Sequence, residues 1–445
     1  MNGNTSRFPG SGGDAGRSGG AGRSAMRSNA GIKNFFGLYR KECRKVLCSL
    51  TFLLYAAAVF AMYYTQFHSE LNRPETAPKP GQESYGMTAR EVPEILAPRA
   101  MEGLIWEYWM NSYVAYPVGF YKEIHLLEKK RRKMAEIIGE LTGLTYEELE
   151  AGLVAAGDGG SAYQPPSLPE YHLSETMTYE RFRELMREAD DIIGGGSRYS
   201  DQYIVHNFSQ MPKTYEEAAE EYRQLMEEDR ITGGYARLYC DYVGLMLAVL
   251  PVFAAVSLMQ LDRRARMEQL VYSRHISSTR LIFARYAALV TVMLLPVLVT
   301  AAMAQIKVTG LYPGVETDLF AFARYVIVWM LPSLMTAAAV GMCVTELCSG
   351  LLAILLQGAW WFAGVFSGAL SGGIGKFSLV VRHNSLYDMD VFQNEYRDFL
   401  FNRVFFALFA IFLVALTVVI YEEKRRGRSF GIRMLGKDRK GQPAA

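Results

Sequence analysis

Cysteine is scarce and badly placed for crosslinking. The five thiols, Cys43, Cys48, Cys240, Cys343 and Cys348, lie in or beside long uncharged runs, and none falls deep within 68–237. That polar segment must therefore hold itself by a hydrophobic core, and at about 170 residues it is long enough to form one. Cys343 and Cys348 lack histidine partners and read as small buried thiols rather than a zinc site. Histidine is equally thin: His68, His125, His172, His206, His275 and His383 never pair at metal-ligand spacing, and HExxH is absent. No phosphate loop is present. Gly194-Gly195-Gly196 is not followed by Lys-Ser/Thr, and Gly375-Lys376 has Leu370 and Phe377 where the pattern needs glycine and a hydroxyl. Alternation of strand length is missing too. Above all, no Asp, Glu, Lys or Arg interrupts six runs at 46–69, 242–261, 286–306, 325–345, 347–375 and 404–421. Intramembrane charges of the kind that relay protons or ions are thus excluded from the runs themselves.

What is there is length. About 20 helical residues cross a hydrocarbon core of roughly 30 Å, and each run reaches that or nearly so. Backbone in lipid must satisfy its own hydrogen bonds, so the runs read as helices. The expected fold is an all-α polytopic membrane protein with six transmembrane helices, one plus five, and a large, mainly helical extracytoplasmic insert between the first and second. Charge sets the orientation. Residues 1–49 carry nine Lys/Arg against Asp14 and Glu42; Arg263, Arg264, Arg266, Arg274, Arg280 and Arg285 sit between the second and third runs. The tail after the sixth run is basic as well, so both termini are expected in the cytoplasm of a cell whose plasma membrane the chain crosses several times.

The net charge of +2 conceals an asymmetry: 68–237 holds 30 Asp/Glu and 18 Lys/Arg. An acidic outer part on a basic membrane part leaves no basic patch unexplained, which argues against nucleic acid as a partner. The run EKKRRK at 128–133 reads as a solvated helix face. Residues 1–30, rich in Gly, Ser and Arg, are expected to be a disordered cytoplasmic tail, and 31–47 an amphipathic helix along the inner membrane surface. The first run, at 48–67, reads as an uncleaved anchor. Within the extracytoplasmic domain 68–237, Thr145 with Glu148, Thr178 and Thr214 with Glu217 open helices, and Gly194-Gly195-Gly196 closes one. A five-helix region then spans 238–421, with a cytoplasmic loop at 262–285, and a basic tail follows at 422–445.

No catalytic, cofactor or metal site emerges. Ser367 and Ser371 sit in GVFSGALSGG, but a serine nucleophile needs a base at its depth and no run contains His or Lys beyond the terminal His68. Close helix packing explains the small residues better. The loop 262–285 carries Met267, Leu270, Val271 and Tyr272 at helical spacing, suited either to rest on lipid headgroups or to receive force from a docked protein.

Three segments together resemble the membrane subunit of type-2 ABC transporters, a mostly exporting bacterial family. They are Gly37-Leu38-Tyr39-Arg40-Lys41-Glu42-Cys43-Arg44-Lys45 before the first run, the segment from Arg266 through Glu268, Ser273-Arg274 and Arg280 to Ile282 after the second, and Tyr421-Glu422-Glu423-Lys424-Arg425-Arg426-Gly427 after the last. The resemblance covers 32–66 and 238–430. It implies a permease subunit that forms an export pathway, with ATP and magnesium bound by a separate ABC ATP-binding subunit and a second permease copy or paralogue completing the channel. It further implies an elbow helix with Tyr39, Lys41 and Glu42, and a coupling helix with Glu268, Leu270, Tyr272, Arg274 and Arg280 against the ATPase. Trp360, Trp361 and Asn384 would line the pathway, Asn384 in an external loop that dips back into the membrane. The alternative is a membrane-anchored surface or secretion-accessory protein whose outer domain binds a partner.

Overall fold

The computed structural model describes residues 35–116, 122–155, 171–273, 276–371, 377–383, 385–387 and 389–428. The tail 1–30, the end of the basic tail, Arg274 and Asn384 lie outside the described residues, as do the side chains of Ser367 and Ser371. The described chain is mostly helical, with no closed sheet, and five of its helices are long and apolar enough to cross a bilayer. Helix α1 covers 35–47 and α2, the first of the five, Leu50–Glu70. The second, Thr232–Arg264, is broken at 248–250 into α9 (Thr232–Leu247) and α10 (Pro251–Arg264). The others are α12 (Ser278–Leu311), α13 (Ala321–Leu347) and α15 (Met389–Arg425). A short helix α11 (Glu268–Tyr272) lies between α10 and α12, and α14 (Gly350–Ser371) between α13 and α15.

Helix α13 is the axis of the bundle. Within its apolar window 78% of residues are buried, against 22% for α2. It packs on α10, α12, α14 and α15. Gly341 permits a close crossing with α10: a Cβ there would stand 2.6 Å from that of Ala255, so only hydrogen fits. Pro251 sits at the first position of α10, where its missing N–H ends the ladder from α9. Ahead of Pro332, α13 widens to a π turn at Val326–Met330.

Between α2 and α9 lies a domain with a core of its own. It is built from α3 (Pro93–Met110), α4 (Glu128–Thr142), α5 (Tyr146–Ala155), α6 (Tyr179–Ile193) and α7 (Ile204–Phe208). Met134, Ile137, Ile138 and Leu141 of α4 and Phe182, Leu185, Met186, Ala189 and Ile193 of α6 recur at helical spacing on one face and meet in that core. Lys129, Lys130, Arg132 and Lys133 are exposed on the other side of α4, as a solvated face requires. Thr145 and Glu148 cap α5 reciprocally, Thr178 caps α6, and Thr214 with Glu217 forms a complete capping box on α8 (Tyr215–Glu227).

The domain is not purely helical. Strands β1 (Met87–Ala89) and β4 (Gln210–Pro212) pair antiparallel, with Thr88 opposite Met211; β2 (Tyr113–Ala115) and β3 (Lys122–Ile124) pair with Val114 opposite Glu123. Three residues apiece are too few for alternation to register in sequence. The approach to α9 is strained: Arg230 and Ile231 both adopt left-handed backbone (φ 50° and 52°), beside the buried Asp229–Arg237 ion pair.

Glu107 is the domain's one strongly perturbed acid among the described residues. It is buried in α3, accepts from the Tyr199 hydroxyl at 2.9 Å, and has Arg198 3.6 Å away. Burial pushes it up to about 7 against the lowering effect of both partners. Its folded value thus lies above the ordinary 4.5, so the stability tied to its protonated form is present in acid and lost as pH rises towards 7. Glu107→Gln should therefore raise the unfolding temperature of the full-length protein at pH 8, by about 3 kcal/mol of stability at most, with the gain shrinking at pH 5. Unfolding followed by tryptophan fluorescence at the two pH values tests this, and an equal effect at both contradicts it.

Candidate coupling surface at the basic end of the bundle

One end of the bundle gathers α1, the loop from α10 to α12, the turn after α13 and the end of α15. Apolar residues of α1 fix its seat: Val46 is buried and Leu38 and Cys43 pack on the same core. That roll places Glu42 inward, at 2% exposure, and Lys41 outward. Tyr39 lies half-buried between them. Glu42 accepts from Lys45 at 2.6 Å and lies 3.7 Å from the Arg285 guanidinium. Arg285, buried near the start of α12, also pairs with Asp262 at the end of α10. One arginine thus ties three elements together.

A second knot adjoins it. Arg263 reaches both Glu268 of α11 and Glu346 of α13, each at 3.3 Å, and Lys424 of α15 meets Glu346 at 3.1 Å. Tyr272 donates to Glu268 at 3.0 Å and stands edge-on to Tyr421, with ring centroids 5.4 Å apart. Burial and the bond to Glu268 raise the Tyr272 phenol above its ordinary value, so it stays a donor. Arg425 donates to the Tyr272 carbonyl at 3.0 Å and to that of Ile276 at 2.8 Å, and Ser278 donates to Glu422. Together these bonds join α11 and the start of α12 to the end of α15.

A cavity of about 90 Å³ lies between the knots, lined by Glu42, Asp262, Arg285, Val271, Tyr421 and Arg425. Glu42 Oε2 and Arg285 Nε face one another without a hydrogen bond among the described residues. The space is lined by Leu38, Ile276 and Leu281 as well as by these charged groups.

The residues singled out from sequence separate into two groups. Leu270 and Arg280 are exposed, with Met267 and Ile276 beside them, and these form the accessible face of the loop. Glu268, half-exposed, pairs with Arg263 of α10, and Tyr272 turns inward against Tyr421 and Arg425 of α15 instead. Asp262, Arg263, Arg285, Glu346, Glu422 and Lys424 complete the knots; sequence reading counted the basic members only as orientation signals. Their signal was the close alternation of opposite charges beside each run.

Trp360 and Trp361 lie elsewhere, on α14. Trp361 donates to the Leu245 carbonyl at 2.9 Å, and Gln357 to that of Ala248 at 2.6 Å, which caps the break between α9 and α10. Trp360 packs on Phe406 and Phe409. Both indoles sit between helices in the described bundle.

Among family models, curated proteins and solved structures, none matches this chain. Arg285→Leu would leave Glu42 and Asp262 buried without their shared cation. It should cost about 3–5 kcal/mol, with Glu42→Gln added to it recovering part. Thermal unfolding in detergent measures both, and an unchanged Arg285→Leu protein would refute the role given to that arginine.

Proposed function

We propose that this chain is the permease subunit of an ATP-driven exporter. In this reading the basic end is cytoplasmic, the acidic domain of 68–237 is outside, and the 22 residues of α14 supply a sixth crossing. The observation that carries the proposal is the pair of charged knots. They couple a short helix with exposed Met267 and Leu270 to the ends of α10, α12, α13 and α15, so displacement of that helix is passed to four spans together. A protein that binds and hydrolyses ATP would seat on Met267, Leu270, Ile276 and Arg280, with α1 flanking it. ATP and magnesium belong to that partner. A second copy or a paralogue would complete the pathway.

A second reading has its own support. The domain between α2 and α9 owns a separate core and a strongly acidic composition, which suits a surface or secretion-accessory protein that binds through that domain. Co-purification separates the two. The full-length protein should bring down an ATPase, and Leu270→Asp should lower its recovery roughly tenfold, since a charge replaces an apolar anchor at the contact centre. Recovery of no ATPase, or full recovery with Leu270→Asp, rejects the coupling role.

A further inference from the structure

Arg403 lies inside α15, directly before the last uncharged run, and is 2% exposed. Among the described residues no carboxylate comes within ion-pair distance of it. Its guanidinium is instead surrounded by neutral oxygens from three directions. On its own helix, Nε donates to Asn402 Oδ1 at 2.9 Å. On α13, Nη1 donates to the Trp329 carbonyl and to Ser333 Oγ, both at 2.9 Å. On the segment 377–383, Nη2 donates to the carbonyls of Ser378 at 3.3 Å and Leu379 at 3.4 Å.

That segment is the unusual partner. It has no regular secondary structure, yet Leu379, Val380 and Val381 are buried against Ala248, Phe406 and the core of the bundle. Irregular backbone at such depth persists only where side chains satisfy it. Here Asn402 Nδ2 donates to Ser378 O at 2.9 Å, Ser333 donates to Leu379 O at 2.9 Å, and Asp241 accepts the His383 N–H at 3.1 Å. Among the described residues, Arg403 hydrogen-bonds both to this segment and to α13, beside the direct Ser333–Leu379 bond and the Phe392 ring, which packs on Trp329 and His383. Arg403 meets α13 at the π turn, where the irregular ladder lets Trp329 O bond outside its helix.

We propose that Arg403 is the latch that holds 377–383 inside the bundle as the closed gate at the domain end of the pathway. The proposal rests on the permease reading for the word gate, while the latch itself is a statement about this chain alone. A planar fork reaches α13 and the segment at once; a lysine ammonium, with donors radiating from one point, reaches only part of the set. Arg403 is thus a positioning residue, and its loss frees the segment rather than removing a contact to cargo.

The test is labelling with a membrane-impermeant maleimide on intact cells that carry the full chain with Val380→Cys; the chain without the added thiol gives the background. With Arg403 present, position 380 should label slowly. Arg403→Gln should speed labelling by roughly tenfold or more, because each charge-assisted bond lost shifts opening by about that factor. Arg403→Lys should fall between. A cysteine at Val297, buried in α12, is the control and should stay protected throughout. Equal labelling of position 380 with and without Arg403 overturns the latch. So does equal exposure of position 297, since the arginine would then hold the whole bundle, and so does full protection by lysine, since charge alone would then suffice. An ATPase that fails to co-purify would remove the permease reading and leave the labelling result standing.

Discussion

Every buried N–H and C=O of the bundle has to find a partner within the protein, and the departures from regular helix can be traced through that requirement. Straight helix meets it without help. Where proline or a loop interrupts the ladder, a polar side chain from a neighbouring span stands at the gap. Pro251 removes the donor that would close the turn across 248–250, and Gln357 and Trp361 of α14 take up the carbonyls of Ala248 and Leu245. Pro296 removes a donor within α12, and the Tyr55 hydroxyl of α2 donates at 2.8 Å to the Met293 carbonyl in the turn before it. Pro332 is preceded by the π turn, and Arg403 takes the Trp329 carbonyl. The few polar side chains at depth are thus committed to backbone repair.

Much of this was legible in the sequence and part was hidden for definable reasons. Five of the six uncharged runs map onto helices long and apolar enough to cross a bilayer, because lipid tolerates little else. Thr145, Thr178 and Thr214 announced helix starts, because an N-terminal hydroxyl satisfies a backbone donor wherever the tertiary fold leads. The helices, however, outrun the uncharged stretches: α15 begins at Met389 and α12 at Ser278, so Arg403 and Arg285 lie inside helices and are buried. In sequence each merely ends a run and reads as a flank facing water. The neighbours that bury them come from distant segments, so no local pattern records the difference. Tyr272 shows the same limit from the other side. Helical spacing groups it with Leu270, yet the edge of Tyr421 and the reach of Arg425 draw it inward.

The two buried arginines solve the desolvation problem differently, and the difference bears on motion. Arg285 sits between two carboxylates, Glu42 and Asp262, beside a small cavity that the three residues help to line. A cation shared by two anions can move towards either with little loss of Coulomb energy, provided water follows into the space. Arg403 has only carbonyl, amide and hydroxyl oxygens around it, fixed on three segments. These acceptors are neutral and held by three segments, so moving one segment away lengthens several charge-assisted bonds together, and in a dry interior such losses are costly. In the proposed reading the basic end would adjust by small steps and the domain end would hold until it lets go.

Helix α13 links those two behaviours. It carries Glu346 at one end and Trp329 with Ser333 at the other, so the knots and the latch bear on a single element. Its close crossing with α10 at Gly341 leaves little room for the helices to part, and alanines at 337–339 keep the neighbouring surface shallow. Sliding or rotation about that point costs less than separation, because no large side chain has to leave a pocket. In the proposed permease reading, a shift imposed on α10 through Asp262 and Arg263 would pass to α13 at the Gly341 crossing and move Trp329 relative to Arg403. The distance between the ends of α13 gives that movement its lever arm.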